Sequence, residues 1–324
     1  MKRLLVVLLM CSLSLSMVVA NGKSEEVSSD EVMDWPQEPI TVICPWAVGG
    51  VADLVNRKAA VYGEELLGQP VLATNELGAG GNVALTNFLK NKPNSYNLIF
   101  SGEGGFSIAP NVDGKEAIMF KYDDFEPIMN MYSAIFVMTA DADLNITNLD
   151  QLKEYGQNHD CKVAVNGIAG SEAFLAKALF KELGIDVTLV SYNGANLALD
   201  AVAKGETAFA ISHQSQAKGA VEGGLITPVT VFSEKPVSND LFKDVKPVGA
   251  YGMDAYYPNT CFLLARKGTS PQVIEKIRNA YLTIMQKDDV KELFNQLMIE
   301  SSDWTKEDMD NHIEHVIQIV KENQ

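Results

Sequence analysis

Pro45 to Arg57 reads P-W-A-V-G-G-V-A-D-L-V-N-R. The apolar run Ile40-Thr41-Val42-Ile43 leads in, and Leu54, Val55, Ala59 and Ala60 follow at helical spacing. This predicts a strand, a tight glycine turn and a helix opening at or near Asp53. Glycines let backbone approach a guest closely. A helix start adds unpaired N–H groups and the positive end of a dipole. Together they make an anion pocket, with Trp46, Val48, Gly49, Gly50 and Ala52 as candidate contacts. Asp53 joins the set, its carboxylate read first as a cap on backbone N–H groups.

Two more glycine turns follow. Gly78-Ala79-Gly80-Gly81-Asn82 precedes a helical pattern, and Gly102-Glu103-Gly104-Gly105 follows the apolar run Leu98-Ile99-Phe100. Three such loops imply one ligand site built from backbone, which adds Gly78, Gly80, Gly81, Asn82, Gly102 and Glu103. A bare carboxylate is out of place in an anion site. Glu103 is therefore expected either to face solvent or to pair with a cationic or hydroxyl group of the ligand. In the second half, Gly170 and Ser171 repeat the glycine turn before a helix, with Ser171 as cap, hydroxyl donor or both. His213, at the end of a predicted strand, is the histidine placed near the cleft.

The elements that must hold these loops alternate. Strands are expected over 40–44, 70–74, 98–100 and 135–139, with helices over 53–67 and 82–90. A second set has strands at 161–165, 187–190, 208–211 and 228–232, with helices from Ser171 and around Leu197 to Val202. Thr147 to Asp150 and Ser270-Pro271 read as helix starts, and Thr305 to Asp308 caps a last helix. Alternation of this kind predicts α/β architecture, two lobes with the ligand in the crevice at the strands' carboxyl ends.

The bulk numbers narrow the function. Lys2, Arg3, the apolar run from Leu4 and Val18-Val19-Ala20 read as a signal peptide over 1–20, followed by a polar leader over 21–35. Export to the periplasm or another extracytoplasmic compartment is expected. A lipid anchor at Cys11 is not, because Met10 precedes it where small residues are required. Removing residues 1–20 takes away two positive charges, so 24 cations against 42 acids leave a net charge of −18. That excludes nucleic acid as a partner. It also leaves only Arg57, Arg266 and Arg278 as arginines, so backbone amides are the expected anion holders. Cys44, Cys161 and Cys261 lie in apolar strand patterns and read as small buried side chains, with a Cys44–Cys261 disulfide as the alternative. His312 and His315 sit three apart on a helix, read as a solvated face rather than a metal site. No cofactor, metal or catalytic residue is expected, since no G-x-S-x-G or G-x-G-x-x-G pattern occurs.

Pro45 to Asp53 with Arg57 resembles the P-F-x-P-G-G-x-x-D-x-x-x-R signature of the tripartite tricarboxylate transporter receptors, the Bug family. Leu67 to Val71 resembles its L-G-Q-P-V, Gly78 to Asn82 its G-A-G-G-N, and Tyr122 to Ile128 its D-F-x-P-I. Gly167-Ile168-Ala169-Gly170-Ser171 and Tyr192-Asn193-Gly194-Ala195 resemble its second-lobe motifs, which adds Tyr192 and Asn193 to the candidate site. Val48 stands in place of a proline, Glu76-Leu77 in place of Arg-Pro, and Glu103 in a loop usually rich in Ser and Thr. The resemblance implies a periplasmic-binding-protein-like flytrap, with 36–139 plus 251–324 as the first lobe and 140–250 as the second. It implies a monomeric receptor that captures a small organic acid and delivers it to two integral membrane transporter subunits. A partner of a membrane sensor kinase and a secreted enzyme are the alternatives.

Overall fold

The computed structural model describes residues 34–108, 110–111, 120–168, 170–254 and 256–322. The expected signal peptide, most of the leader, Cys11 and Ala169 lie outside them.

Two five-stranded sheets carry the chain. Strands β1 (Ile40–Cys44), β2 (Val71–Asn75), β3 (Asn97–Ser101), β4 (Phe125–Ala134) and β10 (Asn259–Arg266) form the first, in the order β2-β1-β3-β10-β4. The second holds β5 (Phe136–Asp141), β6 (Cys161–Asn166), β7 (Val187–Tyr192), β8 (Phe209–His213) and β9 (Ile226–Val231), in the order β7-β6-β8-β5-β9. The two follow one plan. Three strands run parallel, as where Ile40 faces Val71 and Cys161 faces Val187. A fourth inserts antiparallel beside them, β10 against β3 and β5 against β8. The mixed sheets with covering helices are the expected α/β class.

Helices connect the parallel strands. They are α1 (Val51–Leu67), α2 (Asn82–Phe88), α3 (Leu149–Gly156), α4 (Ser171–Leu183), α5 (Ala195–Ala203) and α6 (Gln214–Glu222). The tail adds α7 (Pro271–Met285), α8 (Asp288–Leu297) and α9 (Lys306–Glu322). Local signals set their ends. Asn148 accepts from Gln151 N at 3.0 Å to cap α3, and Ser270 accepts from Val273 N at 3.3 Å ahead of Pro271. Thr305 and Asp308 cap α9 reciprocally: Thr305 N donates to Asp308 at 2.8 Å and Asp308 N to Thr305 Oγ1 at 3.1 Å. Gly68 ends α1 at φ 81°, a conformation that suits glycine. The α7 face with Val273, Ile277, Tyr281 and Ile284 is buried.

The chain changes sheet at Ile135, between β4 and β5. The strand expected over 135–139 as the last of the first lobe is β5, and it pairs with β8 and β9 of the second sheet. From Ile128 to Ala140 the sequence holds no glycine or proline, so nothing local marks the switch near the expected 140. The return to the first sheet is through β10, an apolar strand whose Cys261 to Ala265 are buried.

Candidate functional site

A cavity of about 100 Å³ lies between the ends of the two sheets. It suits a small acid better than a drug-sized guest, whose sites run about 300–1,000 Å³. Four helices begin in its wall: α1 with Gly50, Val51 and Ala52, α4 with Gly170, Ser171 and Glu172, α5 with Gly194 and Ala195, and α6 with His213 and Gln216. The first three have glycine at the cap, which brings no capping side chain. The first helical bonds are Leu54 N to Gly50 O, Phe174 N to Gly170 O and Ala198 N to Gly194 O. The N–H groups before them have no helical carbonyl to meet. Helices α3 and α7, which contribute nothing to the wall, carry side-chain caps. Leaving out the cap at the cavity keeps N–H donors available for a guest.

The β1–α1 loop is braced from beneath. Asp53 is buried and accepts Gly49 N at 2.8 Å, with Arg57 Nε 3.0 Å away. Arg57 also reaches Asn75 Oδ1 at 2.7 Å, and Asn75 Nδ2 donates to Trp46 O at 3.0 Å. Burial works to raise the Asp53 pKa, but the bonds from Arg57, Gly49 and Asn75 outweigh it and hold the carboxyl below its usual range. Asp53 is thus an internal acceptor, as its cap reading expected, at the third residue of a helix that opens at Val51 rather than at 53. Its bond takes up the Gly49 N–H. Val48 is 67% exposed and does not line the cavity.

Glu103 is in the wall, and the solvent-facing expectation does not match its surroundings. It is 0% exposed. Thr260 N donates to it at 2.9 Å, Asn259 Nδ2 at 3.1 Å, and Thr260 Oγ1 and His312 Nε2 complete the set. The solvent-facing alternative is therefore corrected: four donors from β10 and α9 satisfy the carboxylate inside the protein. His312 in turn packs against Trp304, with ring centroids 5.1 Å apart, and Phe262. It does not share a solvated face with the exposed His315.

This network fixes a tautomer. Glu103 accepts, so Asn259 must present its NH₂ to it and its oxygen to His213. His213 Nε2 then carries the proton for the 2.8 Å bond to Asn259 Oδ1. Nδ1 is left as an acceptor, buried and with no protein partner. Burial pushes the His213 pKa down to about 4, against the Asn259 bond and the Glu103 charge, so the ring is neutral. Glu172 in the same wall is shifted as well. Burial lifts its pKa to about 7, opposed by a bond from its own backbone N–H.

Of the expected residues, Trp46, Gly50, Ala52, Gly80, Gly102, Glu103, Gly170, Ser171 and His213 meet around the cavity. Val48, Gly49, Asp53, Gly78, Gly81, Asn82, Tyr192 and Asn193 do not line it. Gly81 packs on Pro45, where a Cβ would come within 3.2 Å of the ring. Tyr192 packs into the second-sheet core and Asn193 is exposed. In that motif it is Gly194 and Ala195 that reach the wall. The sequence reading passed over Tyr132, Phe136, Asn166, Glu172, Gln216, Asn259 and Thr260. Glu172 had a signal, its place beside Ser171 at a helix start. Asn259 and Thr260 come from a strand inserted 156 residues after Glu103, and no local pattern announces that.

The two sides of the cavity nearly touch. A Cβ on Gly194 would lie 3.9 Å from Ala47 Cβ, one on Gly104 3.6 Å from Ser171 Oγ, and one on Gly167 4.0 Å from Gly80 Cα. Cys44, Cys161 and Cys261 are free and buried, in place of the Cys44–Cys261 disulfide alternative. Burial raises the Cys44 thiol to about 12. Among the described residues, no group of three or more His, Cys, Asp or Glu could hold a metal ion, and no helix is long and apolar enough to cross a membrane.

Residues 55–322 match the model of the tripartite tricarboxylate transporter family receptor, and the chain belongs to that family. BugT of Bordetella pertussis is 25% identical over 286 residues, covering 86% of this chain and 84% of its own. MatC from Rhodopseudomonas palustris, solved with bound malate, superposes with a TM-score of 0.80 at 21% identity, over 89% of this chain and 99% of its own. The periplasmic binding protein BugD superposes at 0.79 with 22% identity, over 89% of this chain and 97% of its own. These neighbours share the two-lobe fold of solute-binding receptors.

Proposed function

We propose that the chain is an extracytoplasmic receptor that captures a small organic acid and hands it to a membrane transporter of two integral subunits. Residues 1–20 direct its export. A single observation carries the reading: three glycine-capped helix starts, free of side-chain caps, meet at one closed-in cavity. A carboxylate there accepts N–H groups of Val51 and Ala52 and of the α5 start. Each helix-start contact contributes about 0.3–1 kcal/mol, and up to about 2 where partly buried. The bound malate of MatC supports a carboxylate as the guest, and the family model supports the transporter as the destination. The first lobe comprises the first sheet with α7 to α9, and the second lobe the second sheet with α3 to α6.

Native mass spectrometry of the purified chain tests this. A retained small acid, released on unfolding and restoring the mass shift when added back, is the expected result. A chain that retains nothing and binds no carboxylic acid by calorimetry overturns it.

A further inference from the structure

The cavity is lined unevenly. One part offers donors: the first-turn N–H groups of α1 and α5, brought together where Gly194 meets Ala47. The other part offers acceptors. Glu172, the second residue of α4, turns its carboxylate back on its own backbone N–H. At the α4 start this carboxyl group therefore already occupies a first-turn N–H donor of the kind that α1 and α5 leave open. A ligand carboxylate placed there would meet an acidic side chain in place of a free donor.

Two further acceptors accompany it. His213 presents a buried Nδ1 lone pair with no protein partner. Its tautomer is fixed by the bond to Asn259, so the ring does not donate through Nδ1. Glu103, buried in the same wall, accepts from Asn259 and Thr260 and presents acceptor oxygens only. Among the described lining residues there is no Lys or Arg. Two acidic side chains and a neutral imidazole thus stand in a wall with no side-chain cation. A dicarboxylate would bring a second negative charge into this low-dielectric space, and like charges at close range are strongly unfavourable there.

We propose that the ligand is an amino acid, held by its carboxylate at the α1 and α5 starts and by its ammonium group at Glu172 and His213 Nδ1. This rests on the carboxylate reading above and narrows it. The ammonium has three N–H donors. It neutralises Glu172 and supplies the hydrogen bond His213 lacks. A hydroxyl in the same place can donate one hydrogen bond but brings no charge, and a hydrogen supplies neither.

The test compares matched acids on the full mature chain, unfolded and refolded to strip any retained guest. The common amino acids and γ-aminobutyrate are titrated by calorimetry beside their hydroxy and deaminated counterparts. The expected result is that the best amino acid binds at least tenfold more tightly than both of its counterparts. Glu172→Gln should then reduce its affinity at least tenfold and leave the counterparts within about threefold. The wild-type comparison stands without the variant, should Glu172→Gln fold poorly. A nitrogen-free acid that binds as tightly as the best amino acid overturns the proposal and leaves the carboxylate reading in place. Unchanged amino-acid affinity in folded Glu172→Gln overturns the role of Glu172. Binding of neither class overturns this proposal and the carboxylate reading together.

Discussion

His213 Nε2 donates to Asn259 Oδ1 at 2.8 Å, tying the end of β8 in the second sheet to the start of β10 in the first. Asn259 can make this bond because its amide is oriented from the other side by Glu103. Glu103 is held in turn by Thr260 and by His312 from the last helix. A chain of buried polar groups thus runs from α9 through the first sheet to the cavity wall. Fully satisfied networks of this kind are rigid, and removing one member strands its partners.

Glu103→Gln should therefore act on stability before it acts on binding. Gln keeps the shape but replaces one acceptor oxygen with NH₂, which then faces a donor of Thr260, Asn259 or His312. The loss expected is about 1.5–3 kcal/mol, the range for hydrogen bonds to a charged group. Urea unfolding of the ligand-free protein measures it. A variant as stable as the wild type would show that Glu103 is not a structural acceptor.

Gly102→Ala tests how tightly β3 and β10 are joined beside the site. A Cβ at 102 would sit 2.1 Å from the Thr260 carbonyl oxygen. Backbone cannot yield as a side-chain tip does, so β10 must shift and take the donors to Glu103 with it. Overpacking of this kind costs about 1–3 kcal/mol and occasionally more, and the upper end is expected. A melting temperature within a degree of the wild type would contradict the packing described.

The site was legible in the sequence where a local pattern forces a local shape. Gly50, Gly80, Gly102 and Gly170 were found because each ends a strand or starts a helix, and all four line the cavity. Gly49, one residue away, differs because Asp53 captures its N–H, a detail of side-chain geometry rather than of pattern. Tyr192 and Asn193 misled for a similar reason: the motif places Gly194 and Ala195 at the helix start, and the residues before them turn elsewhere. The fold was legible up to the sheet switch. Strands β4 and β10 are long-range partners, and antiparallel insertion leaves no periodicity different from that of any buried strand. The fate of Glu103 depended on β10, so its burial could not be read before that strand was placed.

The pH dependence of stability should show two opposed slopes. His213 is lowered from 6.5 to about 4. The unfolded chain takes up this proton first, so stability falls as pH drops from about 6.5 to about 4. Glu172 is raised from 4.5 to about 7. Its contribution is fully present below 4.5 and is lost as pH rises through about 7. Between 4.5 and 6.5 the two offset each other. Glu172→Gln removes one, so its stability relative to wild type should rise with pH on the order of 1 kcal/mol per unit, given partial exposure of the side chain. Unfolding free energies of both proteins from pH 4.5 to 7 check this, and parallel profiles would refute the Glu172 shift.

Ala47→Leu should hold the two sides of the cavity apart. Ala47 Cβ lies 3.9 Å from the place of a Cβ on Gly194, so the seam has room for little beyond a methyl group and a glycine. Ala47 is only partly buried and does not have the positive φ of its neighbour Gly49. A leucine there adds bulk at the seam without a backbone penalty in either sheet. The ligand must be enclosed by helix starts from both sides, so a wedge at their meeting point weakens binding through closure rather than through a lost contact. Affinity for the retained ligand should fall at least tenfold, about 1.4 kcal/mol, while the unliganded melting temperature stays close to that of the wild type. Small-angle scattering with saturating ligand should give a larger radius of gyration for the variant than for the wild type. Equal radii together with equal affinity would mean that the approach of Ala47 to Gly194 is not needed to close the cavity.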